Sequence, residues 1–330
     1  PIREKVEQLS IMTSAGSLVR QEHFQPKDAL LSGPAGGVVA AEALARETGE
    51  DAIITFDMGG TSSDVARYSG RFDYQYETEI GDARVSGPAL HIHTVAAGGG
   101  SICDFDGRKY TVGPESGGAQ PGPACYGAGG PLCLTDVNLL LGHLATDKIG
   151  IPLDREAAEK ALGHLLEKDP EAPEQAAVLQ GFLDIANEKM AEAIRQISTA
   201  QGYDPGEHAL LAFGGAGGMH ACAVAELLEI DRLLLPRDGG ILSATGMAAA
   251  REERFASREW LQLLKEINDL PEQIDTLQTE ARERMQEAGY LAEQIEIRHV
   301  LCYLRFQGQE HSLELEWRGA AALPGDFEEA

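Results

Sequence analysis

Two apolar spacings alternate along this chain. Short strand-like runs stand between glycine-rich stretches: Ala52-Ile-Ile-Thr-Phe56, Val65-Ala-Arg-Tyr68 and His208-Ala-Leu-Leu-Ala-Phe213. Runs this short, bounded by turn residues, predict strands. Elsewhere apolar residues return every three or four positions, the helical period. Leu179, Leu183, Ala186, Met190, Ile194 and Ile197 do so within a helix expected over 174–201. Asp154 is the expected N-cap of a helix running through Leu166, and Pro170 and Pro173 separate the two helices. An Ala-rich helix is expected from Leu31 to about Glu47, and a small-residue helix over 241–250.

The remaining pattern sets the architecture. A strand at 208–213, a glycine turn at 214–218, a helix to Leu228 and a strand at 232–235 make the unit from which parallel sheets are built. Further strands are expected at 72–76, 90–95 and 108–112, and a helix at 137–144 with Thr135 or Asp136 as its N-cap. The first residues mix a polar start with a strand-like or helical piece at 9–12, and Ser14 to Ser17 reads as a turn. From 251 the character changes. A charged helix is expected over 259–290, broken near Pro271, followed by paired strands at 295–306 and 312–317 joined by Gln307 to Glu310. In the second of these, Leu313, Leu315 and Trp317 face one way. The expected fold class is therefore α/β, with a lobe over 1–250 and a small C-terminal α/β module over 251–330. No internal repeat is evident.

Composition narrows the possibilities. With 330 residues, 43% of them hydrophobic, the chain can bury a sizeable core. Its 38 glycines are clustered rather than periodic, which excludes a collagen-like chain. A net charge of −26 argues against nucleic acid or an anionic membrane as the main partner. No apolar run approaches the ~20 residues of a membrane span, and no signal peptide opens the chain. The five cysteines (Cys103, Cys125, Cys133, Cys222 and Cys302) are widely spaced and form no CxxC pair. That favours a reducing, cytoplasmic compartment and structural thiols over a disulfide scaffold or a zinc site. The chain opens on Pro1 with a segment that reads as mid-domain, so it is expected to be part of a longer protein.

The candidate chemistry sits in the glycine-rich stretches. Asp57-Met-Gly-Gly-Thr-Ser-Ser-Asp64 reads as a hairpin tip without bulk, rich in hydroxyls and flanked by two carboxylates. Gly59 and Gly60 let main-chain N–H groups approach a phosphate, with Thr61 and Ser62 adding donors. Asp57 and Asp64 beside a phosphate call for a cation between them, and Mg²⁺ is the usual one. An ordinary hairpin turn uses the same residue types. At 214–218 the glycines open a helix, whose N-terminus attracts anions; tight strand–helix packing is the alternative. The turn lacks the Lys of a GxxxxGK[ST] phosphate loop, which excludes that class. The Ser32-Gly-Pro-Ala-Gly-Gly37 entry to a helix is open to the same two readings. His91 and His93 share one strand face, suited to a metal or simply to a polar face. Gly113 to Tyr126 is a long Gly/Pro loop of the kind that carries function.

In combination these motifs resemble a known family. Asp57 to Asp64 and Phe213-Gly-Gly-Ala-Gly-Gly218 are similar to the phosphate hairpin and adenosine loop of the actin/hexokinase/heat-shock-chaperone ATPase superfamily. Leu31 to Gly37, Thr94 to Ser101, Gly113 to Ser116, Pro121 to Tyr126, Thr135-Asp136 and Phe213 to Cys222 are similar, in order, to motifs of the hydantoinase A/5-oxoprolinase family, over roughly residues 10–250. Arg305-Phe-Gln-Gly-Gln309 resembles a motif of its C-terminal part. The resemblance implies an actin-like (ribonuclease H-like) ATPase lobe with a mixed sheet. It also implies ATP-dependent opening of a cyclic amide such as 5-oxoproline or a hydantoin, with some relatives carboxylating ketones.

By the same resemblance, Gly59, Gly60, Thr61 and Ser62 cradle phosphate and Asp57 and Asp64 hold Mg²⁺ or orient a nucleophile. Gly214, Gly215, Gly217 and Gly218 line the adenosine. Gly99, Gly100, Ser101, Glu115, Ser116 and His220 are the candidates for the acyl-substrate side, with helix packing as the alternative for His220. The implied partners are a missing N-terminal lobe of the same protein and a hydantoinase B-type subunit or fused domain. Family members carry another phosphate hairpin in that N-terminal lobe, and this chain holds one. It is therefore expected to supply half of a nucleotide cleft, to bind ATP weakly alone and not to turn over. A ketone carboxylase subunit and a nucleotide-gated regulatory module are the competing functions.

Overall fold

The structure is a computed structural model that describes residues 9–80, 83–147, 149–309 and 312–329, with the side chains at 77–80 and 83–86 left aside. The chain divides into two compact units: Met12–Leu18 with Gln25–Arg251, and a smaller one comprising residues 9–11, Val19–Phe24 and the stretch from Glu252 onward.

In chain order the elements are β1 (Ser10–Met12), β2 (Leu18–Arg20), α1 (Ser32–Thr48), β3 (Ile53–Met58), β4 (Ser63–Tyr68), β5 (Tyr74–Ile80), β6 (Ala83–Leu90) and β7 (Ile92–Val95). There follow β8 (Ser101–Phe105), β9 (Tyr110–Ser116), α2 (Leu134–Leu140), α3 (Arg155–Leu166), α4 (Gln175–Ile197), β10 (Ala209–Phe213) and α5 (Gly217–Leu227). The last are β11 (Leu233–Leu234), α6 (Leu242–Ala249), α7 (Leu270–Glu287), β12 (Leu301–Leu304), β13 (Leu313–Glu316) and α8 (Leu323–Glu329).

The larger unit is built on a mixed five-stranded sheet, β11-β10-β3-β4-β7. β10 runs parallel to both β3 and β11, while β3–β4 and β4–β7 are antiparallel. β3 is apolar without alternation because both of its faces are covered. Ile54, Phe56 and Met58 face a core shared with Phe182, Met190 and Ile194 of α4 and Ala221 and Val224 of α5. Ile53 faces the opposite core with Ala40, Ala41 and Ala45 of α1, Phe213 of β10 and Leu242 of α6. The predicted apolar stripe of α4 is buried throughout, from Leu179 to Ile197. Each large side chain of that stripe contributes about 2 kcal/mol by leaving water.

The glycines of α1 serve packing. A Cβ on Gly36 would strike the Ser243 carbonyl oxygen, and one on Gly246 the Gly36 carbonyl oxygen. The two helices therefore cross at main-chain contact, which brings the start of α6 close to the end of β3. Within the glycine-rich entry to α1, Gly36 and Gly37 thus meet the packing reading, while a Cβ on Gly33 would stand in open space.

Several boundaries differ from expectation for identifiable reasons. Pro271 sits in the first turn of α7, where its missing N–H costs nothing, so it starts that helix instead of breaking a longer one. β9 continues through Gly113 and Pro114 to Ser116, residues whose composition suggested loop. Cys133, not Thr135 or Asp136, is the N-cap of α2, with the Asp136 side chain closing the box. Only 301–304 of the expected 295–306 strand is extended into pairing, and it pairs with β13; the expected join ending at Glu310 lies partly outside the described residues. In the smaller unit, Leu270, Ile274, Leu315 and Leu323 form a core with Trp260 and Trp317, while Leu313 is exposed. No helix among the described residues is long and apolar enough to cross a membrane.

Candidate functional site

Three glycine-rich loops leave the same edge of the sheet. β3, β10 and β7 run in one direction. The tip at 59–62, the turn at 214–218 and the loop at 97–101 therefore all follow carboxyl ends of strands. That edge is where open α/β sheets bind ligands.

The β3–β4 register sets Asp57 directly opposite Asp64. Cross-strand partners share a face, so the two carboxylates stand together at the mouth of the hairpin. Both are half-buried. Burial lifts each carboxyl above its usual range, and the charge of Asp64 lifts Asp57 further. Ser243 Oγ, 3.4 Å from Asp57 Oδ2, and Thr94 Oγ1, donating to Asp64 Oδ1 at 2.5 Å, work in the opposite direction. Facing like charges are costly without a cation between them. No group of three or more His, Cys, Asp or Glu assembles into a metal cluster among the described residues. Two carboxylates beside an open glycine tip fit Mg²⁺, which takes one or two protein carboxylates and completes its shell with phosphate oxygens and water.

The tip between these acids is open. A Cβ built on Gly60 meets nothing within 4 Å, nor does one on Gly215 or Gly218. The N–H groups of Gly60 and Thr61 have no acceptor among the described residues, whereas Gly59 donates to Ser62 O at 3.0 Å. Thr61 is exposed and Ser62 half-buried. The neighbouring turn is locked to the end of β3. Gly214 has φ +80°, and a Cβ there would strike Asp57 Oδ1 and Met58 O. Ala216 N donates to Met58 O at 3.0 Å. Gly217 then opens α5 with its positive dipole end at this edge.

The other predicted residues lie differently. Gly99 and Gly100 are buried against the hairpin: Gly99 N donates to Gly59 O at 3.1 Å and Gly100 N to Gly60 O at 2.6 Å. Ser101 is fully buried, and its Oγ accepts from Gly98 N at 2.9 Å. Ser116 Oγ accepts from Gly118 N at 3.1 Å, and Glu115 is exposed. His220 is 1% exposed, and both ring nitrogens are engaged: Nδ1 at 2.7 Å from Asn187 Oδ1 and Nε2 at 3.2 Å from Asn138 Nδ2. Burial pushes its pKa down to about 4, so it is a neutral packed histidine with Nδ1 as donor. His91 meets Gln201 Nε2 at 3.2 Å and joins no metal cluster among the described residues. A hollow of about 310 Å³ lined by His93, Pro114, Lys189, Glu192 and Gln196 includes neither Asp57 nor Asp64. Sequence reasoning did not single out Thr94 and Ser243 as partners of the acids. Ser243 is 186 residues from Asp57, and only the small-residue crossing of α1 and α6 signalled its approach.

Comparisons with known proteins place the chain in a family. The family model described as Hydantoinase/oxoprolinase matches residues 2–254. The chain is 40% identical over 300 residues to 5-oxoprolinase 1 of Arabidopsis thaliana, covering 84% of this chain and 24% of that protein. It is 35% identical over 303 residues to caprolactamase subunit alpha of Pseudomonas jessenii, covering 88% and 43%. The crystal structure of the ATP-dependent caprolactamase from that organism superposes with a TM-score of 0.78 at 29% identity, over 96% of this chain and 49% of that one. Nucleotide-free acetone carboxylase shares the fold, with a TM-score of 0.69 at 23% identity over 98% of this chain and 49% of that one. The chain thus spans about a quarter of the 5-oxoprolinase and less than half of the caprolactamase subunit. The fold is the mixed-sheet α/β lobe anticipated from the motifs, and the chain belongs to the hydantoinase/oxoprolinase family.

Proposed function

We propose that this chain supplies part of the nucleotide site of an ATP-dependent amidohydrolase that opens a cyclic amide of the 5-oxoproline or hydantoin type. One observation carries the reading: Asp57 and Asp64 face each other at the mouth of an open glycine hairpin, beside the glycine turn that starts α5. The free N–H groups of the tip, with Thr61 and Ser62, hold phosphate oxygens. Gly214, Gly215, Gly217 and Gly218 line the adenosine. Asp57 and Asp64 hold Mg²⁺ directly or through water. Bound there, Mg²⁺ offsets phosphate charge and aligns the transferred group.

An unstrained cyclic amide is a poor electrophile. In this reading its carbonyl oxygen takes the γ-phosphoryl group, leaving ADP. The activated carbon then accepts water, the ring C–N bond breaks with the nitrogen taking a proton, and a second water cleaves the resulting acyl phosphate to carboxylate and phosphate. The chain's residues hold and orient, which is much of what phosphoryl transfer asks of a protein. The greater length of the relatives supports an N-terminal lobe that completes the cleft and a B-type subunit or fused domain. The absence of a CxxC pair supports a reducing compartment such as the cytoplasm.

The test is ATP hydrolysis by the whole protein with its partner, supplied in turn with 5-oxoproline, a hydantoin, or acetone plus bicarbonate. Stimulation by one cyclic amide, lost in Asp57→Asn, is the expected result. Stimulation by acetone plus bicarbonate instead assigns a carboxylase, and stimulation by none assigns a regulatory module. The described chain alone is expected to bind ATP weakly and not turn over; cyclic-amide-dependent hydrolysis by it alone contradicts that.

A further inference from the structure

We propose that the start of α2 is a bracket that fixes the spacing of the site's loops, with Thr135 as the positioning residue for the hairpin tip. Three polar residues in one turn each end on a different part of the edge. Thr135 donates twice to Gly99 O, from its N–H at 2.8 Å and from Oγ1 at 2.7 Å. Gly99 and its neighbour Gly100 in turn donate to Gly59 O and Gly60 O. Thr135 therefore reaches the tip through a single intervening strip of main chain. That strip has no slack: a Cβ on Gly99 would lie 2.8 Å from Thr135 Oγ1, and one on Gly98 would lie 2.7 Å from Ser62 N.

Asp136 holds the Gly/Pro loop. It is fully buried, and it accepts from Ala124 N at 3.0 Å, Cys125 N at 2.7 Å and Cys133 N at 2.7 Å. Asn138 holds α5. Its Nδ2 donates to Leu134 O and to Nε2 of His220, while its Oδ1 accepts from His143 Nδ1 at 3.2 Å. His220 is thus the link from the helix that the glycine turn opens back to α2. Satisfied buried polar networks rigidify what they join, and phosphoryl transfer is sensitive to displacements near 1 Å.

The test uses the whole protein and two variants: Thr135→Val, which removes the Oγ1 donor at constant shape, and Thr135→Ser, which keeps it. Amide hydrogen exchange at Gly59 and at 98–101, whose N–H groups are hydrogen-bonded, is expected to rise about tenfold in the valine variant, with α4 unchanged, and to return in the serine variant. Unchanged exchange at Gly59 and 98–101 overturns the bracket. If the valine variant does not fold, Thr135→Ala carries the same expectation.

The kinetic arm rests on the proposed function. In a protein that hydrolyses ATP, kcat is expected to fall about tenfold in the valine variant while KM for ATP stays within about threefold. An unchanged kcat overturns the positioning role. If the unsubstituted protein hydrolyses no ATP with any cyclic amide, the proposed function fails, and the exchange arm still decides the bracket.

Discussion

At the tip of the β3–β4 hairpin, Gly60 has open space where a side chain would stand. At the adjoining 97–101 loop, Gly98 has none, because its Cβ would lie 2.7 Å from Thr61 C and Ser62 N. The two stretches look alike in sequence and use glycine for opposite ends. One keeps main chain uncovered at the carboxyl edge of the sheet. The other removes bulk so that the tip can rest on a second layer of backbone. The same contrast recurs across the turn at 214–218, where Gly214 is wedged against Asp57 and Gly215 is open.

The largest expected effect falls on the acids. Asp57→Asn in the whole protein should lower cyclic-amide-dependent ATP turnover by about 10³-fold, while its thermal unfolding midpoint stays near that of the parent. Loss of turnover accompanied by unfolding would assign Asp57 to the scaffold instead. Next come the packed glycines. Gly98→Ala and Gly214→Ala should each cost about 3 kcal/mol in urea unfolding, since backbone must shift to admit the methyl group and Gly214 also has φ +80°. Gly215→Ala, facing open space, should change stability by less than about 0.5 kcal/mol. Equal costs at 98 and 215 would erase the contrast.

A small effect of opposite sign comes from charge. The carboxyls of Asp57 and Asp64 bind protons more tightly in the folded protein than in the unfolded chain. Between the unfolded value and the raised folded one the native state holds more protons, so stability falls as pH rises through that window. Without Mg²⁺ at neutral pH, Asp64→Asn should therefore raise stability by about 0.5 kcal/mol. The gain should vanish below about pH 3, where both acids of the parent are protonated. A variant less stable than the parent at pH 7 would mean that the pair is not in repulsion.

Much of this organisation was legible because it is local. The apolar stripe of α4 follows from three- and four-residue spacing, and the pairing of Asp57 with Asp64 follows from a hairpin closed symmetrically around Gly59 to Ser62. Asp154 caps α3 as its position implied, accepting from Ala157 N. What stayed hidden depends on distant chain. Nothing near Ser243 announces Asp57, and nothing near His220 announces Asn138 and Asn187, which bury it in a network. Composition also misled where position outweighs residue type. Pro271 begins α7, and Gly113-Pro114 lies inside β9. Whether a glycine is open or packed is a property of its neighbours, so the hairpin tip and the 97–101 loop could not be told apart before their contacts were known.

The most direct test of that distinction is a side chain placed in the open seat. Mg²⁺–ATP binding to the whole protein, measured by calorimetry beside urea unfolding, would compare the parent with Gly60→Val. The expected result is a loss of affinity of about tenfold or more with stability shifted by less than about 1 kcal/mol. Unchanged affinity in a folded Gly60→Val protein would contradict it, because the tip would then not be where phosphate sits.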